Sequence, residues 1–312
     1  MSSGTLTGAA EGRRSRGERS ESGRAALERG IVQAVAYADV FDYPLTADEI
    51  HRYLIGIPAS RATVRGILSN FKPGVISRSG RYYTLAGRES AIETRRARGA
   101  LAAGYWKRAT RYGRTMGNLP FVRMVAVTGA LAMDNIADGD IDYLVVTEPG
   151  RLWLCRALIV GLVRIAALKG TELCPNYFLS EQALVLNERN LFTAHEVAQM
   201  VPLTGLATYQ RLRALNRWTD SYLPNAGGPP RRITPVEPRQ RRIVEYALRS
   251  RLCAPLERWE MHRKIRKLDQ RSNGHAEAAF GPDWCKGHFG DHGHVTLARY
   301  EERLHALEHR LP

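Results

Sequence analysis

The chain is short of cysteine, short of acid and without any long apolar run. Four cysteines, Cys155, Cys174, Cys253 and Cys285, are scattered through 312 residues with no short repeat spacing. They read as reduced, mostly buried thiols of a cytoplasmic protein rather than as a disulfide framework. No apolar core segment follows the first residues, so a secretory signal is not expected. The longest apolar stretch, Ala157 to Val163, is bracketed by Arg156 and Arg164 and is far too short to span a bilayer. No membrane partner is expected. Acids number 31 against 46 Lys and Arg, which leaves a net charge of +15 and a pI near 10.0. Such a field favours polyanions: nucleic acid, nucleotides or an acidic protein face.

What is present is ordinary for a globular chain. Hydrophobic residues make up 44% and charged residues 25%, enough for a sizeable core and two or three domains. Residues 1–25, rich in Ser, Gly, Arg and Glu, carry too little apolar surface to offset the entropy of ordering and predict a disordered basic tail. Residues 26–88 predict a small helical domain finished by a hairpin. Thr46 with Glu49 makes a capping box, Ser60 caps a third helix, and two short strands turn at Ser79-Gly80. That order resembles a winged helix, in which the third helix, here about Arg61 to Asn70, enters a DNA groove or the module docks protein. Residues 89–118 predict a basic connecting helix; Arg95, Arg96, Arg98, Lys107, Arg108, Arg111 and Arg114 there contact phosphate or form a solvated face. From Arg78 to Thr115 ten Lys and Arg face two Glu, and from Arg231 to Gln270 twelve face five acids. Residues 119–192 alternate strand, strand, helix, strand. Residues 193–312 read as a helical C-terminal region divided by a Pro/Gly linker at 224–238.

The chemistry concentrates in "VAVTGALAMDNIADGDIDYLVV", Val125 to Val146. In a strand, residues two apart share a face, so Asp140 and Asp142 project together while Ile141 turns to the core. Two parallel carboxylates repel unless a cation sits between them, and Mg²⁺ suits one or two hard oxygens with water and phosphate completing its shell. Upstream, Val127-Thr128-Gly129 ends a strand in a glycine, where backbone N–H groups can approach a phosphate. A glycine corner facing a carboxylate pair is a phosphoryl-transfer layout.

These residues resemble the nucleotidyltransferase superfamily related to DNA polymerase beta, whose strand-terminal Gly-Ser precedes Asp-hydrophobic-Asp by about nine to thirteen residues. Here Gly129-Ala130 is followed by Leu131 to Gly139 and then Asp140-Ile141-Asp142. The resemblance extends from about Ile31 to Asn225, to bacterial proteins combining a winged helix, this domain and a helical C-terminal region. It implies an α/β (α+β) fold: a polymerase-beta-like core with a mixed sheet, flanked by a winged helix and helices. It further implies a Mg²⁺ (or Mn²⁺) site held by catalytic Asp140 and Asp142, with Gly129, Ala130, Asn135 and Arg151 around a nucleoside triphosphate. The family's serine is Ala130 here, which removes a hydroxyl but keeps the amide. Its third carboxylate has no evident counterpart, Glu172 and Asn176 being the nearest candidates.

Asn135, with Asp138, either touches nucleotide or caps a turn, and Arg151 and Arg156 either steady a triphosphate as arginine forks or pair with local acids. Thr193 reads as a helix N-cap with Glu196 completing its box. Cys285, His288, His292 and His294 in "CKGHFGDHGH" invite zinc, at a spacing unlike a known finger. The leading expectation is a Mg²⁺-dependent nucleotidyltransferase moving a nucleoside monophosphate from a triphosphate to an acceptor hydroxyl. The alternative is a winged-helix nucleic-acid binder, contacting DNA or RNA through that domain and the basic segments, whose degenerate transferase domain serves as nucleotide sensor or docking module.

Overall fold

The structure is a computed structural model that describes residues 7–71, 74–137, 139–237, 241–249, 253–272, 279–286 and 292–307. In chain order its elements are α1 (Thr7–Asp39), β1 (Leu45–Thr46), α2 (Ala47–Arg52), α3 (Arg61–Ser69), β2 (Ile76–Ser79), β3 (Tyr82–Leu85), α4 (Ala91–Gly117), β4 (Val122–Val127), α5 (Gly129–Ala132) and β5 (Ile141–Thr147). Then come α6 (Leu152–Ala167), β6 (Leu173–Ser180), α7 (Leu191–Gln199), β7 (Val201–Thr204), α8 (Leu206–Leu215), α9 (Thr219–Tyr222), α10 (Arg241–Leu248), α11 (Cys253–Ser272), β8 (Ala279–Phe280), β9 (Trp284–Lys286) and α12 (His292–His305). No helix among the described residues is long and apolar enough to cross a membrane.

The chain divides into two compact units, residues 1–94 with 220–227 and 298–312, and residues 95–219 with 228–297. In the first, three helices and a hairpin follow one another, and β1, β3 and β2 form an antiparallel three-stranded sheet. The capping box forms as its residue types dictate: Thr46 accepts from the Glu49 N–H, and the Glu49 carboxylate takes the Thr46 N–H at 2.8 Å. Ser60 caps α3 in the same way, accepting from Thr63 N. The two-residue turn at Gly80-Arg81 is made possible by the positive φ of 59° at Gly80. Helix α1 runs back to Thr7; residues 1–6 lie outside the described ones. Asp39, buried at the end of α1, holds Arg88 at 2.8 Å and Arg303 at 2.7 Å.

The second unit is built on a mixed sheet in the order β7-β4-β5-β6-β9-β8, in which β5 and β6 are parallel and the other pairs antiparallel. The parallel pair is joined through α6, the crossover that parallel strands require. Residues of β5 alternate between two cores. Ile141, Tyr143 and Val145 face one, with α4 and α6, while Leu144 and Val146 face the other, with Val197, Met200 and Leu212. The basic segment forms α4, yet it is more than a connector: Ala102, Trp106, Ala109, Tyr112 and Met116 recur at helical spacing and pack on the sheet. Its cations Arg96, Lys107 and Arg111 keep to the exposed side.

One expectation needs correction. The region from residue 193 is not helical throughout. β7, β9 and β8 come from it and extend the sheet on both edges, because short apolar runs such as Val201–Thr204 are too brief to separate strand from helix by periodicity. Within the Pro/Gly segment, Val236 N donates to Leu203 O at 3.0 Å.

Candidate functional site

The site begins with a pairing register. β4 and β5 are antiparallel and Val127 lies opposite Tyr143, so the exit of β4 and the entry of β5 meet at one end of the sheet. Gly129, at the exit, has φ 62°, and a Cβ there would stand 2.4 Å from Asp142 Oδ2. Only glycine fits both the left-handed backbone and the close approach of the carboxylate. The glycine corner and the second aspartate therefore form one contact, twelve intervening residues notwithstanding.

Alternation along β5 places the acids as expected. Ile141 is fully buried, while Asp140 is exposed and Asp142 partly buried on the other face. Asp142 lies opposite Cys174 in the parallel register with β6. Oxygens of Asp140 and Asp142 and the Cys174 sulfur all lie within 4.8 Å of one another, the one such group of potential metal ligands found among the described residues. Immediately beyond, the register shifts between Tyr143 and Leu144, which leaves Asn176 as the extra residue of a bulge. Its Nδ2 donates to Asp142 Oδ1 at 2.7 Å. Asn176 thus orients the aspartate rather than standing in for an acid, and Glu172 is exposed, contributing its carbonyl to Ile141 N at 3.1 Å.

Negative charge is concentrated around Asp142. Burial, then the charge of Asp140, then that of Glu196 push the Asp142 carboxyl up to about 7, against a small opposing effect of the Cys174 thiol. Glu196 is itself pushed up to about 7 by enclosure of its carboxyl group, with Lys286 opposing. The Cys174 thiol is raised by burial and by its hydrogen bonds to the two aspartates, which keeps it neutral. In a chain of net charge +15, the charges of Asp140 and Glu196 both raise the proton affinity of Asp142.

Glu196 is the one residue whose charge acts on Asp142 that sequence reasoning placed elsewhere. It was expected to complete a box with Thr193, but the cap of α7 is Asn190, whose side chain accepts from Thr193 N at 2.9 Å. The helix starts three residues earlier than the box requires, so Glu196 completes no box, and its charge bears on Asp142. The available signal was a lone acid in the otherwise apolar helix "LFTAHEVAQ".

The other expected residues separate. Ala130 is exposed beside Gly129. Asn135 serves the turn: its N–H donates to Ala130 O at 2.9 Å and its side-chain oxygen accepts from Arg98 at 3.3 Å. The preceding Asp134 anchors that loop to Trp106 Nε1 at 2.6 Å and to Arg231 at 2.7 Å. Arg151 is not at the site. It caps α6 beyond the opposite end of β5, its guanidinium 4.9 Å from the centre of the Phe121 ring and near Glu257. Five strand residues, about 17 Å, separate Thr147 from Asp142, so strand polarity carries the start of α6 away from the acids. Arg156 lies further along α6, between the Trp153 and Phe178 rings. Of the zinc candidates, Cys285 is buried in β9 and His292 and His294 lie in α12; His288, like Asp138, lies outside the described residues.

In the first unit, Arg65 on α3 pairs with Asp48 at 3.0 Å and Arg61 approaches it at 3.9 Å. Arg78 and Arg81 of the hairpin lie over the Tyr83 and Tyr82 rings. No protein-family model, no curated protein and no solved structure matches the chain.

Proposed function

We propose that the second unit is a divalent-cation-dependent nucleotidyltransferase, using Mg²⁺ or Mn²⁺ to move a nucleoside monophosphate from a triphosphate to an acceptor hydroxyl. The observation that carries this reading is the Asp142 carboxylate seated against the Gly129 corner, with Asp140 beside it and Glu196 within electrostatic reach. The donor set fits such an ion: two hard carboxylate oxygens whose mutual repulsion a cation relieves, leaving room for water and phosphate. Asp140 and Asp142 would hold it, and bound there it would neutralise the charge of the transferring phosphate. Gly129 lets the backbone come close where a side chain would block it, and the Ala130 amide lies at the same corner. Asn176 fixes the rotamer of Asp142 by its hydrogen bond, so the ligand is oriented before anything binds. Arg151 has no part in this arrangement.

Calorimetric titration of each nucleoside triphosphate with Mg²⁺, followed by incubation with labelled nucleotide, tests the proposal. Wild type should bind triphosphate only with the ion and transfer label, and Asp142→Asn should do neither. Identical binding by both proteins would end the enzymatic reading.

A second reading is favoured by the first unit, whose helix, strand, helix, helix and hairpin order resembles that of a winged helix. With Ala130 replacing serine and a neutral thiol, Cys174, beside the acids, the second unit would then act as a nucleotide sensor or docking module for a nucleic-acid binder. Duplex DNA binding by the chain with no transfer to any acceptor would select it.

A further inference from the structure

Helix α11 presents a surface that the transfer chemistry does not use. One side of it is spent on the fold: Met261 and Ile265 pack into the core shared with α6, and Glu257 accepts the N–H groups of Trp153 at 2.8 Å and Leu154 at 2.7 Å. That core lies on the face of the sheet opposite to Asp142.

The other side is unlike an ordinary solvated helix. Trp259 is 59% exposed and Leu256 46%, and around them Arg258, His262, Arg263, Arg266 and Lys267 are all exposed. At 100° per residue, His262, Arg263 and Arg266 fall within about 60° of Trp259, so ring and cations form one strip. No acid among the described side chains shares it. Glu257 and Glu260 are both buried, the latter holding Arg263 at 2.6 Å. The Arg263 guanidinium also lies 5.2 Å from the centre of the Trp259 ring, which braces the indole.

We propose that this strip binds single-stranded nucleic acid, with phosphates at Arg266 and the flanking Lys267 and a base stacked on Trp259. Charge complementarity selects a polyanion, because exposed cations with no acid among the described side chains beside them attract phosphate and release its counterions. The exposed indole selects an unpaired base, since base–aromatic stacking needs a free π-face and a duplex keeps its base faces inside the stack. A membrane surface is disfavoured because an interfacial helix must bury a broad apolar face in lipid, and the apolar face of α11 already packs on protein. The proposal goes beyond the transfer reading and does not depend on it.

The test is fluorescence anisotropy of the full chain with a dye-labelled oligouridylate of about 20 nucleotides, a length able to span such a strip, across a salt series. A duplex of the same length and phosphatidylserine/phosphatidylcholine vesicles serve as the comparison arms. Trp259→Ala should weaken single-strand binding about 10-fold, the size of one lost stacking contact, and Trp259→Phe should restore most of it. Arg266→Glu with Lys267→Glu should lower the slope of log affinity against log salt by about 1.4, at roughly 0.7 per phosphate for single strands. Arg211→Glu with Arg217→Glu, an equal charge change on and beside α8, should leave that slope as in wild type. Unchanged melting of each variant shows that folding is intact, as these exposed positions predict. Wild-type affinity in Trp259→Ala, tighter binding of duplex than of single strand, or vesicle binding without oligonucleotide binding would each overturn the proposal.

Discussion

Replacing Asp142 by Asn should make the ion-free protein more stable above neutral pH. In the folded chain the Asp142 carboxyl is raised from its ordinary 3.8 to about 7, chiefly by burial. Between those two values the folded state keeps a proton that the unfolded chain has released, so stability falls as pH rises through that window, and the full cost is present above it. Three units at 1.36 kcal/mol each give a ceiling of about 4 kcal/mol. Water reaching the partly exposed side chain lowers this, and about 2 kcal/mol is the working figure. For a unit of this size that corresponds to a melting shift of roughly 4–8 °C. Asparagine keeps the shape and can still accept from Asn176 through its amide oxygen, so the charge alone is removed. Scanning calorimetry in chelator at about pH 8.5 should show the variant melting higher, with the gap closing by about pH 4.5, where both forms are neutral. Added Mg²⁺ should raise wild type and leave the variant unmoved. A gain of equal size at both pH values would refute the argument, since the effect would then come from packing and not from charge.

Three further outcomes follow from the same geometry. Mg²⁺ affinity, read by titration calorimetry, should fall as pH drops through about 7, because the ion must displace the proton on Asp142; Asp140→Asn should weaken it at every pH. Gly129→Ala places a methyl 2.4 Å from Asp142 Oδ2 at a φ of 62°, so it should cost roughly 1–3 kcal/mol of stability and abolish triphosphate binding. Arg151→Ala should leave triphosphate affinity unchanged in the same titration, since its guanidinium lies over Phe121 at the other end of β5.

The site was legible in sequence where it is written in local pattern. Strand alternation oriented Asp140 and Asp142, and the requirement for glycine marked Gly129; both depend only on backbone geometry within a few residues. The capping signals of Thr46 and Ser60 were legible for the same reason. Glu196 and Cys174 were not, because each reaches Asp142 through the pairing of segments distant in the chain, and nothing local marks either. Arg151 was misplaced because nearness in sequence was taken for nearness in space, whereas a strand separates its two ends. The strands β8 and β9 were missed for want of length: two or three residues carry no period, and only the neighbouring strand defines them.

The hydrogen-bonding edge of β6 that faces β9 is completed by residues synthesised roughly a hundred positions later, Lys286 coming to lie beside Tyr177. A ribosome at ordinary speed therefore leaves that edge bare for many seconds, open to pairing with another nascent chain. Expression yield, more than equilibrium stability, should feel changes in the hairpin that finally covers it.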